Sequence, residues 1–237
     1  MNCEKDYVPK LDPRLSAVAE FVPDGSSLLD VGTDHGYLPV NLLCRGRISF
    51  AGASDINSAP LAKSVDTAER AGVADHMRFY LSDGLDSVDD IERYNCISVC
   101  GMGGELIYNI IDREAYVRES GVPIVVQPMS SIEDLSLLLA SGGYSIERES
   151  IVGSAGKLYR VMLVRYTGES YKLTEAEHIL GRANIAAGGN VFSEYLDSAI
   201  ARYKKIAAGR RGGGLDCERC EMILRELCTV KNGLEEK

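Results

Sequence analysis

Long apolar runs are missing from this 237-residue chain, and none reaches the roughly 18 residues that a membrane-spanning helix needs. The first residues, MNCEKDY, also lack the basic flank and apolar segment of a secretory signal peptide. We therefore expect a cytoplasmic protein with no membrane partner. With 45% hydrophobic and 26% charged residues, the composition is that of a globular protein with a substantial core.

An excess of positive charge is also missing, because 26 Lys and Arg face 35 Asp and Glu and give a net charge of −9. This balance disfavours a protein that coats nucleic acid indiscriminately. The acidity belongs to residues 1–165, whereas residues 166–237 carry 11 basic and 11 acidic residues. In that second part, one run of five cations has no acid between its members and precedes a glycine triplet: Arg202, Lys204, Lys205, Arg210 and Arg211.

That basic run has two interpretations. It is either the solvated end of a helix followed by a flexible turn, or a surface that gives the chain affinity for RNA.

A set of metal ligands is missing as well. Among the seven cysteines, Cys217 and Cys220 form a C-x-x-C pair, but no second Cys or His pair lies near them. Structural zinc requires four ligands, so we expect no metal, and the role of this pair stays open. The apolar surroundings of Cys44, Cys96 and Cys100 favour buried thiols.

What the sequence does contain, from about residue 11 to 150, is an alternation of apolar β-rich runs and helix-period segments. This pattern predicts an α/β fold with a Rossmann-like, mainly parallel sheet. Two alternating strands around a glycine-containing turn, in residues 144–166, predict an antiparallel hairpin that closes the sheet. The predicted strands cover 27–32, 49–55, 76–83, 95–101 and 122–128, and the predicted helices cover 15–22, 37–45, 58–72, 104–112 and 131–143.

Strand-like runs stop after Tyr166, and three helical stretches follow at about 174–187, 191–208 and 216–231. We therefore predict two domains, an α/β domain over 1–166 and a helical, coiled-coil-like domain over 167–237. The apolar residues expected to line the helical seam are Ile179, Leu180, Ile185, Val191, Phe192, Leu196, Ile200, Ile206, Ile223, Leu224 and Leu227.

The sharpest chemical signal is the segment LLDVGTDHGYLP at residues 28–39, a strand that leads through a glycine-bearing turn into a helix. Ligands of doubly wound sheets bind at such turns. The turn has Gly32 and Gly36, but Asp34 occupies the middle glycine position of the dinucleotide fingerprint, and its charge would repel a pyrophosphate. A zwitterionic sulfonium cofactor such as S-adenosylmethionine is compatible with that carboxylate.

Acidic residues recur at the ends of the next two predicted strands. Asp55 ends the second strand, and Asp83 with Gly84 ends the third. An acid at the first position is placed to accept hydrogen bonds from ribose hydroxyls, and an acid at the second to accept one from an adenine amino group. Singly, such aspartates are more often turn or cap residues, but three acids at successive strand ends predict a nucleoside cofactor.

The fourth predicted strand ends in Cys100-Gly101-Met102-Gly103-Gly104. Glycines at this position let the backbone approach a flat substrate, and they also suit a tight turn into a helix. The acid or amide, two prolines and aromatic that adenine-amino methyltransferases carry here are missing. Methylation of an exocyclic amine is therefore disfavoured.

Six segments together resemble the bacterial tRNA (adenine-22-N1)-methyltransferase family, in the same order and at similar spacing. The resemblance covers about residues 11–165, and Asp-His-x-Tyr-Leu-Pro with Gly-Met-Gly-Gly are its most specific motifs. It implies a class I methyltransferase domain, S-adenosylmethionine as the methyl donor, tRNA as substrate, and a C-terminal helical domain that helps to hold the tRNA. The segments are 11–25, 30–39, 82–85, 100–107, 125–129 and 156–162.

The same resemblance implies roles for individual residues. Asp34 and Arg14 would contact the target adenine, and His35 lies between the target and the cofactor. Arg160 departs from the family, because relatives often have an acid there, so it alters a local ion pair or adds an RNA contact. The residues implied in cofactor binding are Asp30, Gly32, Gly36, Asp55, Ile56, Asp83, Gly84, Gly101 and Met102.

Adenine N1 has an unprotonated lone pair at neutral pH, so its methylation needs no strong general base. We expect Asp34 to accept a hydrogen bond from the adenine amino group and Arg14 to bind a phosphate or stack on the base. Two alternatives stay open. A small-molecule methyltransferase would be active without RNA, and a non-catalytic nucleoside-binding module would bind the cofactor without transfer. Whether the terminal helices pair within one chain or between two is also open.

Overall fold

In a computed structural model of the chain, residues 7–235 are described; residues 1–6 and 236–237, the outer ends of the two predicted domains, lie outside the described residues. A seven-stranded sheet forms the centre, in the order β3-β2-β1-β4-β5-β7-β6. The first five strands are parallel, and β7 is antiparallel to β5 and β6, which confirms the predicted fold class. The strands are β1 (Ser26–Val31), β2 (Ile48–Asp55), β3 (Met77–Leu81), β4 (Cys96–Gly103), β5 (Ile124–Ser130), β6 (Tyr144–Ser154) and β7 (Lys157–Tyr166).

Helices cover both faces of the sheet, and each face has its own apolar cluster. The sheet strands are apolar on both sides because both sides are covered, as in other parallel sheets. The helices are α1 (Pro13–Phe21), α2 (Tyr37–Cys44), α3 (Ser58–Arg70), α4 (Gly104–Arg113), α5 (Ala115–Ser120), α6 (Ile132–Ser141), α7 (Glu175–Leu180), α8 (Arg182–Ala187), α9 (Asn190–Gly212) and α10 (Glu218–Glu235).

The helical region departs from the sequence prediction in two places. The single helix expected over 174–187 is divided into α7 and α8 at Gly181, which has φ +90° and adjoins a buried carboxylate. Helix α9 also continues through the basic run to Gly212, so the run belongs to a helix body and only the last of its cations reach the end.

A third apolar cluster holds α7, α9 and α10 together, and it contains most of the predicted seam. The prediction that Val191 and Ile206 line the seam is wrong, because they lie on the outer surface with 44% and 41% of their area exposed. Ion pairs between Asp197 and Lys231 and between Arg211 and Glu221 show that α9 and α10 run antiparallel. Within residues 7–235, no helix has the length and apolarity to cross a membrane.

Candidate active site

A cleft of about 420 Å³ opens at the carboxyl ends of β1 and β4. The strand order reverses between these two strands, which is where open α/β sheets bind ligands. The start of α1 forms one wall, and the turn between β1 and α2 forms the other. The residues that line the cleft are Asp12, Arg14, Leu15, Asp30, Gly32, Thr33, Asp34, His35, Gly36, Tyr37, Leu38, Cys100, Gly101, Met102 and Met129.

Asp30 forms the floor of the cleft and is only 7% exposed. Burial raises the pKa of its carboxyl group from 3.8 to about 6, against the opposing effects of two hydroxyl hydrogen bonds and the charge of Arg14. One of those bonds comes from the Ser98 hydroxyl, which donates to Oδ1 over 2.7 Å. A carboxylate so placed is a ready acceptor for a positively charged or hydrogen-bond-donating ligand group.

The turn after β1 requires glycine at Gly32. Its φ is +73°, and a Cβ atom there would lie 1.9 Å from Cε of Met102, so the side chain of Met102 occupies the space that the glycine leaves. Gly36 also has a positive φ, +65°, and its N–H donates to the Thr33 hydroxyl. These contacts hold the backbone of the turn close to the tip of β4.

Arg14 points across the cleft from the first turn of α1. Its Nη1 donates to Oε1 of Gln127 over 2.5 Å, and its Nε lies 3.8 Å from the carboxylate of Asp12. Asp12 in turn caps α1 by accepting from the Leu15 N–H. The guanidinium is therefore held from two sides, and Arg14 lines the cleft.

Asp34 stands at the mouth of the cleft with 72% of its side chain exposed. The His35 ring nitrogen Nε2 lies 3.3 Å from one carboxylate oxygen, and Nζ of Lys63 lies 3.7 Å from the other. The His35 ring also stacks on Tyr37, with 4.9 Å between ring centroids. Asp34 is thus an accessible carboxylate whose orientation is supported from both sides.

Four of the predicted cofactor residues lie beside the cleft and do not line it. Asp55 ends β2 and Ile56 follows it, and Asp83 and Gly84 follow β3, at the same edge of the sheet. Ile56 is 62% exposed, and the Asp55 carboxylate accepts from the N–H of Asn57. The carboxylate of Asp83 lies 3.3 Å from Arg113, so it is partly engaged.

The other predicted residues at β4 do line the cleft. Gly101 has φ +82° and open space where a Cβ atom would be. Burial raises the pKa of the neighbouring Cys100 thiol far above its usual range, so this thiol remains protonated and is no ready nucleophile. Within residues 7–235, no cluster of three or more His, Cys, Asp or Glu could hold a metal ion.

Comparison with known proteins places this geometry in a family. Residues 11–162 match the model of a methyltransferase domain. The chain is 30% identical over 154 residues to the tRNA (adenine(22)-N(1))-methyltransferase of Bacillus subtilis, which covers 65% of this chain and 64% of that protein. It is also 30% identical to a putative tRNA methyltransferase of Mycoplasma pneumoniae, over 71% of this chain and 78% of that protein.

The chain belongs to the methyltransferase-domain family.

Solved structures of similar tRNA methyltransferases share the fold over nearly the whole chain, including the helical region. The crystal structure of a putative Streptococcus pneumoniae tRNA methyltransferase with S-adenosyl-L-methionine is 27% identical, with a TM-score of 0.78 over 93% of this chain and 99% of that one. The Bacillus subtilis TrmK crystal structure is 26% identical, with a TM-score of 0.76 over 96% of this chain and 98% of that one.

In this methyltransferase-family chain, the predicted basic run is largely engaged within the molecule. Arg202 pairs with Glu133 on α6, Arg211 pairs with Glu221 on α10, and Arg210 donates to the backbone carbonyl of Asp216. Two cations of the run, Lys204 and Lys205, are exposed and have no acidic partner among the described residues. If the run binds RNA, as one of its two interpretations holds, this lysine pair supplies the cations that have no acidic partner in residues 7–235.

Arg160 follows one of the two alternatives that the sequence left open. Its side chain is 0% exposed and forms an ion pair of 2.7 Å with Glu149, so it is not available to RNA. The alternative that the sequence left open, a changed local ion pair, describes its position.

Two functional-site residues escaped the sequence analysis. Gln127 is fully buried in the middle of β5, and a glutamine inside the apolar run VVQPM was a signal that a polar partner must reach it. Lys63 reaches Asp34 only because α3 packs beside α2, and the sequence of α3 alone carries no sign of that contact.

Proposed function

We propose that this chain is an S-adenosylmethionine-dependent methyltransferase that acts on N1 of an adenine in tRNA. The observation that carries the proposal is that one cleft brings together Arg14, on α1, and Asp34, in the glycine turn after β1. The activities named for its relatives support position 22 of the tRNA as the target.

The residues of the cleft suit the cofactor. The cleft volume, about 420 Å³, lies in the range of small-molecule sites, and Gly101 leaves room for a close approach of the ligand to the backbone. Bound there, S-adenosylmethionine would supply an electrophilic methyl group. We assign the methionine end to Asp30, Gly32, Gly36, Gly101 and Met102, and the adenosine end to Asp55, Ile56, Asp83 and Gly84.

The protein side chains would act by position and electrostatics. Asp34 would accept a hydrogen bond from the amino group of the target adenine, which increases electron density at N1 and stabilises the cationic product. Arg14, held by Gln127, would bind the neighbouring phosphate or stack on the base. His35 would hold the Asp34 carboxylate in place. Because N1 is unprotonated, orientation accounts for most of the acceleration.

The tRNA would contact both parts of the chain. N1 faces inward in a Watson–Crick pair, so the target adenine must come from a loop or junction or be extruded from its helix. We propose that 1–166 forms the methyltransferase domain and that 167–237 forms the tRNA-contacting domain, with Lys204 and Lys205 among its free cations. With tRNA as its substrate, the protein would act in the cytoplasm.

Transfer to tRNA tests the proposal directly. The full chain would be incubated with methyl-labelled S-adenosylmethionine and unmodified tRNA, and the labelled nucleoside would be identified after digestion. We expect N1-methyladenosine, and a tRNA whose adenine 22 is replaced by guanine serves as the control. Labelling of a small molecule without RNA would favour a small-molecule methyltransferase, and cofactor binding with no transfer would favour a non-catalytic module.

A further inference from the structure

The largest fully buried side chain of the described residues is an arginine that the cleft does not use. Arg160 on β7 is 0% exposed, and the side chain of its partner Glu149 on β6 is 2% exposed. Nη2 of the arginine donates to Oε2 of the glutamate over 2.7 Å. The pair lies where the outer strands of the sheet meet the helical region.

The pair binds the backbone of that region on two sides of one bend. Nη1 of Arg160 donates to the carbonyls of His178 and Ile179, over 2.9 and 3.3 Å, in the last turn of α7. The second oxygen of Glu149, Oε1, accepts from the N–H of Ala183 over 2.7 Å, in the first turn of α8. These are the backbone groups that helix ends leave without partners, so the ion pair connects two strands to two helices.

The bend between α7 and α8 passes directly against the carboxylate of Glu149. A Cβ atom at Gly181 would lie 2.3 Å from Oε2 of Glu149, so only glycine lets the chain pass the pair this closely. A cavity of about 250 Å³ lies beside it, lined in part by Ile146, Tyr171 and Leu173. Apolar packing around the pair is therefore incomplete, and directional polar bonds fix the arrangement.

The pair is also not optimal for stability alone. The Nε of Arg160 is buried without a hydrogen-bond partner among the described atoms, and each buried charge loses its hydration. Buried ion pairs often add less stability than apolar residues of the same volume, whereas their loss leaves an uncompensated charge. The Arg160–Glu149 pair therefore suits a role in specifying one orientation of the helical region relative to the sheet.

A second polar contact holds the helical region at another point. Glu133 on α6 pairs with Arg202, and it accepts from the Tyr203 hydroxyl over 2.8 Å, on α9. Helix α9 follows α8 after only two residues, Gly188 and Gly189. The helical region is therefore attached to the α/β part at two separate points, Glu149 and Glu133.

We propose that Arg160 and Glu149 are positioning residues that set the orientation of residues 175–235 relative to the cleft, and so place bound tRNA with its target adenine at Asp34. This inference rests on the proposed function for its consequence in catalysis. The orientation itself can be measured without activity.

The test compares three variants in the full-length chain. Glu149→Ala removes the pair, and Glu149→Gln keeps an acceptor for Ala183 and a partner for Arg160 without the charge. Glu147→Ala is the matched control, because Glu147 lies on the same strand in an exposed ion pair of 2.9 Å with Arg165. Solution X-ray scattering would report the arrangement of the two parts, and steady-state kinetics at a temperature well below each melting midpoint would report the consequence.

We expect Glu149→Ala to change the scattering profile, to raise KM for tRNA at least tenfold and to lower kcat. Its Kd for S-adenosylhomocysteine should stay within twofold of the unmodified chain. Glu149→Gln should keep KM within threefold, and Glu147→Ala should match the unmodified chain throughout. If Glu149→Ala fails to fold, Arg160→Lys replaces it, because a single ammonium cannot bond both carbonyls and the carboxylate at once.

A lower melting temperature with an unchanged scattering profile and unchanged KM would overturn the inference and reduce the pair to a stabilising contact. Failure of the unmodified chain to methylate tRNA would instead contradict the proposed function. In that case the scattering comparison alone decides whether the pair orients the helices.

Discussion

The cleft and the helical region use their charged residues in opposite ways. At the cleft, Asp34 keeps 72% of its side chain exposed although His35 and Lys63 lie beside it, so it remains available to a ligand. In the helical region, Arg202 and Arg211 are engaged by acids of the same chain. A charged side chain in a strand-to-helix turn at the sheet edge stays accessible to a ligand after folding. Charged side chains along a helix instead form ion pairs with neighbouring helices.

Loss of the Asp34 carboxylate should give the largest effect. We expect Asp34→Ala to lower kcat/KM for tRNA by about 10² to 10³-fold, because the hydrogen bond to the adenine amino group is lost at the point where positive charge develops. The Kd for S-adenosylhomocysteine, measured by calorimetry, should change less than twofold. Asp24→Ala, which removes another exposed aspartate paired with a cation, should leave turnover unchanged.

The opposite pattern would reassign Asp34. If Asp34→Ala binds S-adenosylhomocysteine weakly, the carboxylate of Asp34 belongs to the cofactor pocket. The exposed charge at the cleft would then serve cofactor binding and not catalysis.

Asp30 should make the stability of the cofactor-free protein depend on pH. Its pKa is about 6 in the folded chain and 3.8 as the ordinary value, so the folded state binds the proton more tightly. The contribution of Asp30 to the free energy of unfolding therefore falls as pH rises from about 4 to 6, and stays low above that range. Asp30→Asn should raise stability at pH 7.5 by up to about 3 kcal/mol.

Thermal unfolding at two pH values checks this expectation. The gain in melting temperature should be clear at pH 7.5, at roughly 2 to 4 °C per kcal/mol, and should almost vanish near pH 4. An equal gain at both pH values would show that the burial of Asp30 has no electrostatic cost. The variant should also bind S-adenosylmethionine more weakly if the carboxylate contacts the cofactor.

Gly32→Ala should have a smaller effect, at least tenfold on cofactor Kd, because the added Cβ would have to displace Met102. Gly46→Ala is the control that separates the effect of the Met102 contact from the effect of backbone strain. Gly46 has a similar φ, +66°, but nothing lies within 4 Å of the added atom, so it should cost only about 1 to 2 kcal/mol of stability. Equal cofactor binding by both variants would show that the close approach at Gly32 is not required.

Local signals in the sequence were sufficient for the sheet and for most of the cleft. A strand followed by a glycine turn and a helix fixes where Asp30, Gly32 and Gly36 lie, because each follows from backbone geometry over a few residues. The contact of Arg14 with Gln127 joins residues 113 positions apart, so it depends on the packing of α1 against β5. The bend at Gly181 likewise follows from a glutamate in another element.

The smallest expected effect concerns the two free lysines of α9, and it tests what remains of the basic run. Lys204→Gln with Lys205→Gln should weaken tRNA binding a few-fold and reduce the slope of log K against log salt by up to about 2, since each phosphate contact contributes about 0.7 to 0.9. The control is Arg211→Gln with Glu221→Gln, which removes a cation together with its acidic partner.

Filter binding at several salt concentrations should show no change of slope for that control, because an internally paired arginine releases no counterion when RNA binds. If instead the paired arginine proves as important as the lysines, the Arg211–Glu221 pair must open on the RNA. The cations of the helical region would then be as available to a ligand as the carboxylate at the cleft, and the contrast between the two regions would describe only the RNA-free protein.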